Sequence, residues 1–354
     1  MNLQDLGYSD QLEQARLEHN LKDYEMGRVV AEHKERYIVK TAKGDVEAEI
    51  TGNLRFSAVS RENFPAVGDW VALINYDPDF AIIHKILPRY SILARHSAGQ
   101  SGEIQVIAAN IDYAFLVQAV DRDFNINRLE RYLTICNAAK VDPLIVLTKI
   151  DLVEETRLAD IRMAIRSRVR TIPVLAISNT TLAGYEEVKH SIVKRKTYCI
   201  LGSSGAGKST LINNLSGKTI MQTAPVSQST NKGRHTTSHR ELIILEDGGI
   251  LIDNPGMREV GIADTTNGLE ITFDKIFEYA RVCKFKDCRH ISEAGCAVLK
   301  ALKKGAIDRA SYENYLKMEK EKAFFESTVA ERRKKEKLFG KMMKNYKKDI
   351  KRNN

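Results

Sequence analysis

Gly202, Ser203, Ser204, Gly205, Ala206, Gly207, Lys208, Ser209 and Thr210 follow the pattern G-x-x-x-x-G-K-[ST]. A β-rich run, Thr197 to Leu201, leads in, and a helical run, Leu211 to Leu215, leads out. Strand, glycine loop and helix start are what a phosphate-binding loop needs. The glycines let backbone N–H groups close around phosphate oxygens, and the helix N-terminus adds favourable dipole charge. Lys208 is expected on the β- and γ-phosphates and Ser209 on Mg²⁺. The ligand is a nucleoside triphosphate.

A second motif names the base. The apolar run Pro143 to Leu147 reads as a buried strand and delivers Thr148-Lys149-Ile150-Asp151, the form [NT]-K-x-D. A carboxylate at Asp151 accepts two hydrogen bonds, from the ring N–H and the exocyclic amine of guanine. Adenine offers no such pair of donors, and a buried carboxylate left unpaired costs more than a made bond gains. The stem of Lys149 is suited to covering the flat face of the base. Another short strand, Ile250 to Ile252, ends in Asp253-Asn254-Pro255-Gly256, a D-x-x-G element. Its Asp reaches Mg²⁺ through water, and the Gly256 N–H meets the γ-phosphate. The polar loop Asn231 to Thr237 lies between the two phosphate elements, and Thr236 or Thr237 from it completes the Mg²⁺ shell. Val174 to Ile177 reads as a further strand, followed by Ser178-Asn179 in a loop that can touch the guanine carbonyl.

The order of these elements is itself informative. A Ras-like GTPase places its phosphate loop first and its guanine loop near the end. Here the guanine loop (148–151) precedes the phosphate loop (202–210), which precedes 231–237 and 253–256. The nucleotide domain is therefore circularly permuted, which preserves a packed sheet when the old termini were close. The chain beyond Gly256 is thereby tied directly to the γ-phosphate-sensing segments.

That stretch of chain carries a ligand set. Cys283, Cys288, His290 and Cys296 fall within fourteen residues, three thiolates and one imidazole, the donors of a closed tetrahedral structural Zn²⁺. Four protein ligands leave no open position for catalysis. The remaining cysteines, Cys136 and Cys199, stand in apolar core positions. Without a signal peptide or long apolar span, a reducing compartment is expected and a disulfide framework is not.

The elements that must position this chemistry fit a chain of 354 residues with 43% hydrophobic content, room for two to three domains. Short β-rich stretches at 28–30, 37–39, 46–50, 69–74 and 81–83 suggest a small five-stranded barrel, OB-like or SH3-like. Residues before them are polar and irregularly helical. Leu87-Pro88-Arg89 and Ser97 to Gly102 read as the linker into the nucleotide domain. The formal charge of +9 is concentrated at the end: from Glu331 to Asn354 there are eleven Lys/Arg against three Asp/Glu. Such a basic amphipathic helix can address nucleic acid, an anionic membrane or an acidic protein groove; its sign and interspersed aromatics favour RNA.

In combination these motifs resemble the ribosome small-subunit-dependent GTPase A family (RsgA). The resemblance runs from about Gly27 to Cys296. It includes Ile86-Leu87-Pro88-Arg89, the run from Phe124 to Leu133, Gly233-Arg234-His235-Thr236-Thr237 and Asp253 to Glu259. It implies a multidomain α/β protein with an OB-fold barrel (27–90), a permuted GTPase domain (91–262) and a zinc-binding helical domain (263–330); the N-terminal extension (1–26) and the basic tail (331–354) are less typical of the family, and nothing is carried onto them. It also implies a cytoplasmic monomer that cycles between GTP and GDP, needs Mg²⁺ and one Zn²⁺, engages no membrane, and acts on the small ribosomal subunit and its rRNA in late maturation. The alternative is a GTP-dependent RNA-binding switch with little turnover. Thr148 departs from the more usual Asn, which alters the bond that holds the guanine loop to the phosphate loop, although a hydroxyl can still make one. Where Ras-like enzymes carry a water-orienting Gln after D-x-x-G, this chain has Met257, and no Arg is identifiable as a finger in cis. Intrinsic turnover is therefore expected to be slow, with His235 the candidate to orient the attacking water.

Overall fold

The computed structural model describes residues 2–33, 36–96, 104–121, 123–169, 171–219, 241–253 and 266–326. A 3-10 turn at Leu3–Leu6 and helix α1 (Asp10–Glu18) come first. Five strands come after them: β1 (Glu25–His33), β2 (Arg36–Thr41), β3 (Asp45–Ile50), β4 (Trp70–Asp77) and β5 (Phe80–Ile86), with α2 (Gly52–Ser57) between β3 and β4. In β2 and β3 every second residue is buried, so Tyr37 and Val39 share an interior with Val46, Ala48 and Ile50.

These strands pair in the cyclic order β1-β2-β3-β5-β4-β1, which closes the barrel. The β3–β5 pairing is parallel and every other is antiparallel. That ring, with a helix between its third and fourth strands, is the OB arrangement and resolves the choice left open with an SH3-like barrel. Outside the barrel, Leu6, Leu12 and Leu21 of the N-terminal lead pack with Trp70, Ala72 and Leu87. Tyr8 meets the Trp70 ring edge-on at 4.8 Å.

After the barrel, β6 (Ile92–His96) and β7 (Ile104–Ala109) form a two-stranded antiparallel hairpin. The central domain then runs through β8 (Tyr113–Ala119), α3 (Ile126–Ala139), β9 (Asp142–Thr148), α4 (Glu155–Arg168), β10 (Val174–Ala176), α5 (Tyr185–Ser191), β11 (Thr197–Gly202), α6 (Lys208–Ser216), β12 (Glu241–Ile244) and β13 (Ile250–Asp253). Its sheet has the order β10-β9-β8-β11-β13-β12, parallel except for β12. Strands β8 to β10 precede the phosphate-loop strand β11 in the chain yet lie beside it in space. That is the permutation read from motif order. Buried apolar residues line both faces of this sheet, as a parallel sheet covered by helices requires. Four helices close the described chain: α7 (Thr266–Thr272), α8 (Asp274–Ala280), α9 (Ala297–Lys303) and α10 (Arg309–Glu326). None of the helices among the described residues is long and apolar enough to cross a membrane.

Barrel and central sheet meet at an antiparallel β1–β12 pairing, Ala31 opposite Glu241, and at a buried cation. Arg28 of β1 is 1% exposed. Its guanidinium donates to the carbonyls of Leu6 (2.5 Å), Gly68 (3.2 Å) and Asn110 (3.0 Å), and to Thr197 Oγ1 (2.8 Å) at the start of β11. Burying a charge costs several kcal/mol unless such partners are in place, and removing the cation leaves its acceptors stranded. Arg28→Ala is expected to cost about 3–5 kcal/mol. Urea unfolding followed by far-UV dichroism checks it; a loss under about 1 kcal/mol, the level of an ordinary surface change, would mean that the joint carries no such burden.

Candidate functional site

The phosphate loop leaves β11 at Gly202 and enters α6 at Lys208. A Cβ on Gly202 would lie 2.4 Å from the Val117 carbonyl oxygen, so glycine is what lets β11 lie this close to β8. Gly207 has φ +87, and a Cβ there would meet Asn179 Nδ2 at 2.4 Å. The Lys208 ammonium donates to the carbonyls of Gly202 (2.8 Å) and Ser203 (2.6 Å) of its own loop. These acceptors hold the cation at the loop, where phosphate oxygens can replace them.

The guanine loop leaves β9, which lies across β8 from the phosphate-loop strand. Thr148 closes β9, is fully buried, and donates from Oγ1 to the Ala206 carbonyl at 2.7 Å. Threonine thus makes the bond to the phosphate loop with a shorter side chain than asparagine. Lys149 sits at φ +62 and turns the chain into a 3-10 turn, Ile150–Leu152, which leaves the Asp151 side chain exposed. Ser178 is buried, and its Oγ accepts from the Thr180 and Thr181 N–H groups (3.2 and 3.0 Å), which shapes the loop after β10. Asp253 lies buried at the end of β13. Phosphate loop, guanine loop, Ser178 and Asp253 all sit at the carboxyl ends of adjacent strands, where open α/β sheets bind ligands.

The loop from β8 to α3, which carried no motif, touches both nucleotide loops. Asp121 pairs with Lys149 Nζ at 2.7 Å. Asp123 accepts a short hydrogen bond from Ser203 Oγ and pairs with Arg128 at 2.7 Å. The available signal was position: both carboxylates come directly after an apolar strand that ends beside the phosphate loop.

The metal ligands converge as their spacing implied. The donor atoms of Cys283, Cys288, His290 and Cys296 all lie within 4.8 Å of one another. Cys283 Sγ and Cys296 Sγ are 3.9 Å apart, and His290 Nδ1 is 3.6 and 3.5 Å from them. A tetrahedral ion with thiolate bonds of about 2.3 Å and an imidazole bond of about 2.0 Å sets its donors ~3.8 Å (S···S) and ~3.5 Å (S···N) apart. The geometry fits. Burial pushes the His290 pKa down, which keeps the imidazole in its neutral, ligating form. Backbone N–H groups of Ala297 and Leu299 point at Cys283 Sγ (3.3 Å) and Cys296 Sγ (3.4 Å), favouring thiolates. Glu293 ties the loop together. Hydrogen bonds from its own N–H and those of Arg289, Ser292 and Ile291 pull its pKa down to about 2.

This module is bolted to the nucleotide domain. Tyr312 of α10 donates to the His290 carbonyl at 2.5 Å, where His290 holds φ +61. Glu130 of α3, nearly fully buried, accepts from Ser311 Oγ (2.8 Å) and Asn314 Nδ2 (2.7 Å). Arg131 pairs with Glu321 at 2.8 Å and Arg168 with Asp308 at 2.8 Å. His235, Thr236, Thr237, Gly256, Met257 and the tail 331–354 lie outside the described residues.

The sequence profile of the RsgA GTPase family matches residues 86–263. The small ribosomal subunit biogenesis GTPase RsgA 1 of Bacteroides thetaiotaomicron is 40% identical over 348 residues, 98% of this chain and 97% of that protein. The RsgA of Opitutus terrae is 39% identical over 92% of this chain and 90% of its own length. Among solved structures, YjeQ from Thermotoga maritima superposes with a TM-score of 0.61 at 24% identity, covering 86% of this chain and 99% of that one. YloQ, described as a circularly permuted GTPase, does so at 0.59 and 25% identity, covering 86% and 97%. These two show the shared fold.

Two substitutions separate the loops by role. Asp151→Ala is expected to lose guanine preference while weak triphosphate affinity survives, because the phosphate loop is intact. Lys208→Ala is expected to abolish turnover with the fold retained. Competition of GTP and ATP against a fluorescent guanine nucleotide, with a dichroism spectrum of each variant, checks both. Undiminished GTP preference in Asp151→Ala would refute the base assignment.

Proposed function

Because this chain belongs to the RsgA GTPase family and hydrolyses GTP, we propose that its GTP cycle serves the small ribosomal subunit, whose late maturation it assists. The observation that carries the nucleotide part is the Thr148–Ala206 bond, which sets the guanine loop against the phosphate loop. The subunit part is supported by relatives that match almost the whole chain and are named for small-subunit biogenesis. It is supported too by the surface of the metal loop, where Lys284, Lys286 and Arg289 are exposed around a half-exposed Phe285. Cations beside an aromatic ring suit rRNA, phosphate by charge and base by stacking.

The ion of the Cys3His cluster is Zn²⁺ in this reading, a structural metal with no open position. It supplies folding free energy, roughly 10–16 kcal/mol in small modules. Ser209, with Asp253 acting through water, would hold Mg²⁺ with the triphosphate, and Thr236 would complete its shell when the γ-phosphate is present. His235 orients the attacking water, since Met257 has no group to do so. The intrinsic rate is then low, on the order of 10⁻³–10⁻⁴ per second for an unassisted G domain. Subunit contact raises it through α3, which is bonded to the metal module by Glu130 and preceded by the loop that touches Ser203 and Lys149. The chain works in the cytoplasm, where ribosomes are assembled.

Steady-state hydrolysis measured alone and with purified small subunits tests this, together with subunit binding in GDP and in a non-hydrolysable GTP analogue. Strong stimulation that His235→Ala abolishes is the expected result. GTP-dependent binding without stimulated turnover would replace the enzyme cycle with a switch that seldom hydrolyses. Met257→Gln is expected to raise the basal rate if the missing carboxamide limits it.

Cys288→Ser, or chelation, is expected to impair subunit binding and stimulated turnover while GTP affinity survives, because no nucleotide contact comes from the metal loop. Co-sedimentation with subunits and a nucleotide titration on the same sample check it. Wild-type subunit affinity without metal would sink the docking role.

A further inference from the structure

Three side chains, those of Asn214, Tyr185 and Asn179, form one directed hydrogen-bond relay onto the Gly207 carbonyl of the phosphate loop. Asn214, near the end of α6, donates from Nδ2 to the Asn179 carbonyl (3.2 Å) and to Tyr185 Oη (2.9 Å). Tyr185 Oη donates to Asn179 Oδ1 (2.6 Å), and Asn179 Nδ2 donates to the Gly207 carbonyl (3.0 Å). The polarity is settled at both ends. A backbone carbonyl only accepts, so Asn214 must present its NH₂ to Asn179 O, and Asn179 must present its own to Gly207 O. Asn214 therefore donates to the phenol, and the phenol spends its single proton on Asn179 Oδ1. Without that hydroxyl Asn179 Oδ1 loses its donor, and the Gly207 carbonyl alone is left to hold the amide in place.

The placement of the relay gives it a job. Gly207 precedes Lys208 and opens α6, so Asn179 is held from both ends of the phosphate-binding helix. The segment it fixes, Ser178-Asn179, comes after β10 beside the guanine loop, with the Ile150 N–H bonded to the Ile177 carbonyl at 3.3 Å. Tyr185 is 4% exposed, and burial pushes its pKa up to about 12, so the proton it donates stays in place. We propose that Tyr185 is a positioning residue for guanine nucleotide binding. Through Asn179 it sets the base-capping segment at a fixed distance from the phosphate loop, so that base and phosphates are gripped together. The proposal rests on the GTP reading above and concerns the carbonyl edge of the base, opposite the amine edge read by Asp151.

Tyr185→Phe removes the hydroxyl and keeps the ring. It is expected to raise the KM for GTP and the Kd for GDP in parallel, by about tenfold, with kcat changed less than twofold. Inosine triphosphate lacks only the exocyclic amine, so its KM should rise by the same factor and the GTP-to-ITP ratio should stay constant. Asn214→Asp reverses the first donor of the relay and should reproduce the effect, and the double variant should be no worse than either single one. Nucleotide-free melting temperatures of all three, close to wild type, separate positioning from unfolding. Unchanged KM in a wild-type background that binds GTP, a shifted GTP-to-ITP ratio, or additive effects in the double variant would each overturn the relay. Absence of GTP binding by the unmodified chain would instead overturn the nucleotide reading on which it rests.

Discussion

A single buried guanidinium dictates how the parts of this molecule are assembled. Arg28 is removed from water, and its charge is tolerable only where several acceptors meet it. Those acceptors come from four separated segments: Leu6 in the lead, Gly68 in the barrel, Asn110 ahead of β8, and Thr197 at the start of β11. None of them can shift alone without stranding the charge. Gly68 enforces the same register sterically, since at φ +94 a Cβ would fall 2.1 Å from the Ala109 carbonyl oxygen. Asn110 donates from Nδ2 to Gly68 O and accepts from the Tyr90 N–H, so the neighbouring backbone is satisfied as well. A second buried pair, Arg89 with Asp69 (2.8 and 2.6 Å), staples the barrel exit to the turn before β4.

From that joint the nucleotide site inherits its position. Thr197 begins β11, and Gly202 ends it as the first residue of the phosphate loop. Fixing one end of a six-residue strand fixes the other within a rigid sheet. The barrel, which holds none of the candidate nucleotide residues, is thereby referenced to the phosphate loop through the Arg28–Thr197 bond and the β1–β12 pairing. Helix α3 plays the corresponding part for the metal module. Its leading loop touches Ser203 and Lys149, and its buried face meets α10 through Glu130, Ser311 and Asn314. Burial raises the Glu130 pKa, so this contact is polar and costly to desolvate. Such networks reward one arrangement and penalise near misses.

Thr148 and Asn179 express one principle at smaller scale. Two loops from different strand ends are tied to the phosphate loop by a hydroxyl to Ala206 O and an amide to Gly207 O. The two loops assigned to the base are thus anchored on successive carbonyls of the same turn, and neither is free to drift.

Much of the site was legible in the chain because its chemistry is local. A phosphate loop, [NT]-K-x-D, D-x-x-G and Cys3His each need particular residue types within a few positions, so contiguous sequence carries the signal. The order of those motifs announced the permutation, and the period of two in β2 and β3 announced strands. The ring that makes the barrel an OB arrangement was not legible, because its parallel β3–β5 pairing is decided by closure across the barrel. The β6–β7 hairpin escaped notice because its strands are short and flank a Ser/Gly stretch that reads as linker. Arg28, Asp121, Asp123, Asn179, Tyr185 and Glu130 look like ordinary polar residues in the chain, since many of their partners stand far away in it, from Asn179 and Gly207 to Arg28 and Thr197. The sequence by itself marked the candidate nucleotide loops and the four candidate metal ligands, because each of those motifs needs particular residue types at short, fixed spacing. Only tertiary structure decided what holds the loops in register, because a buried hydrogen bond is specified by the three-dimensional path that brings donor and acceptor together.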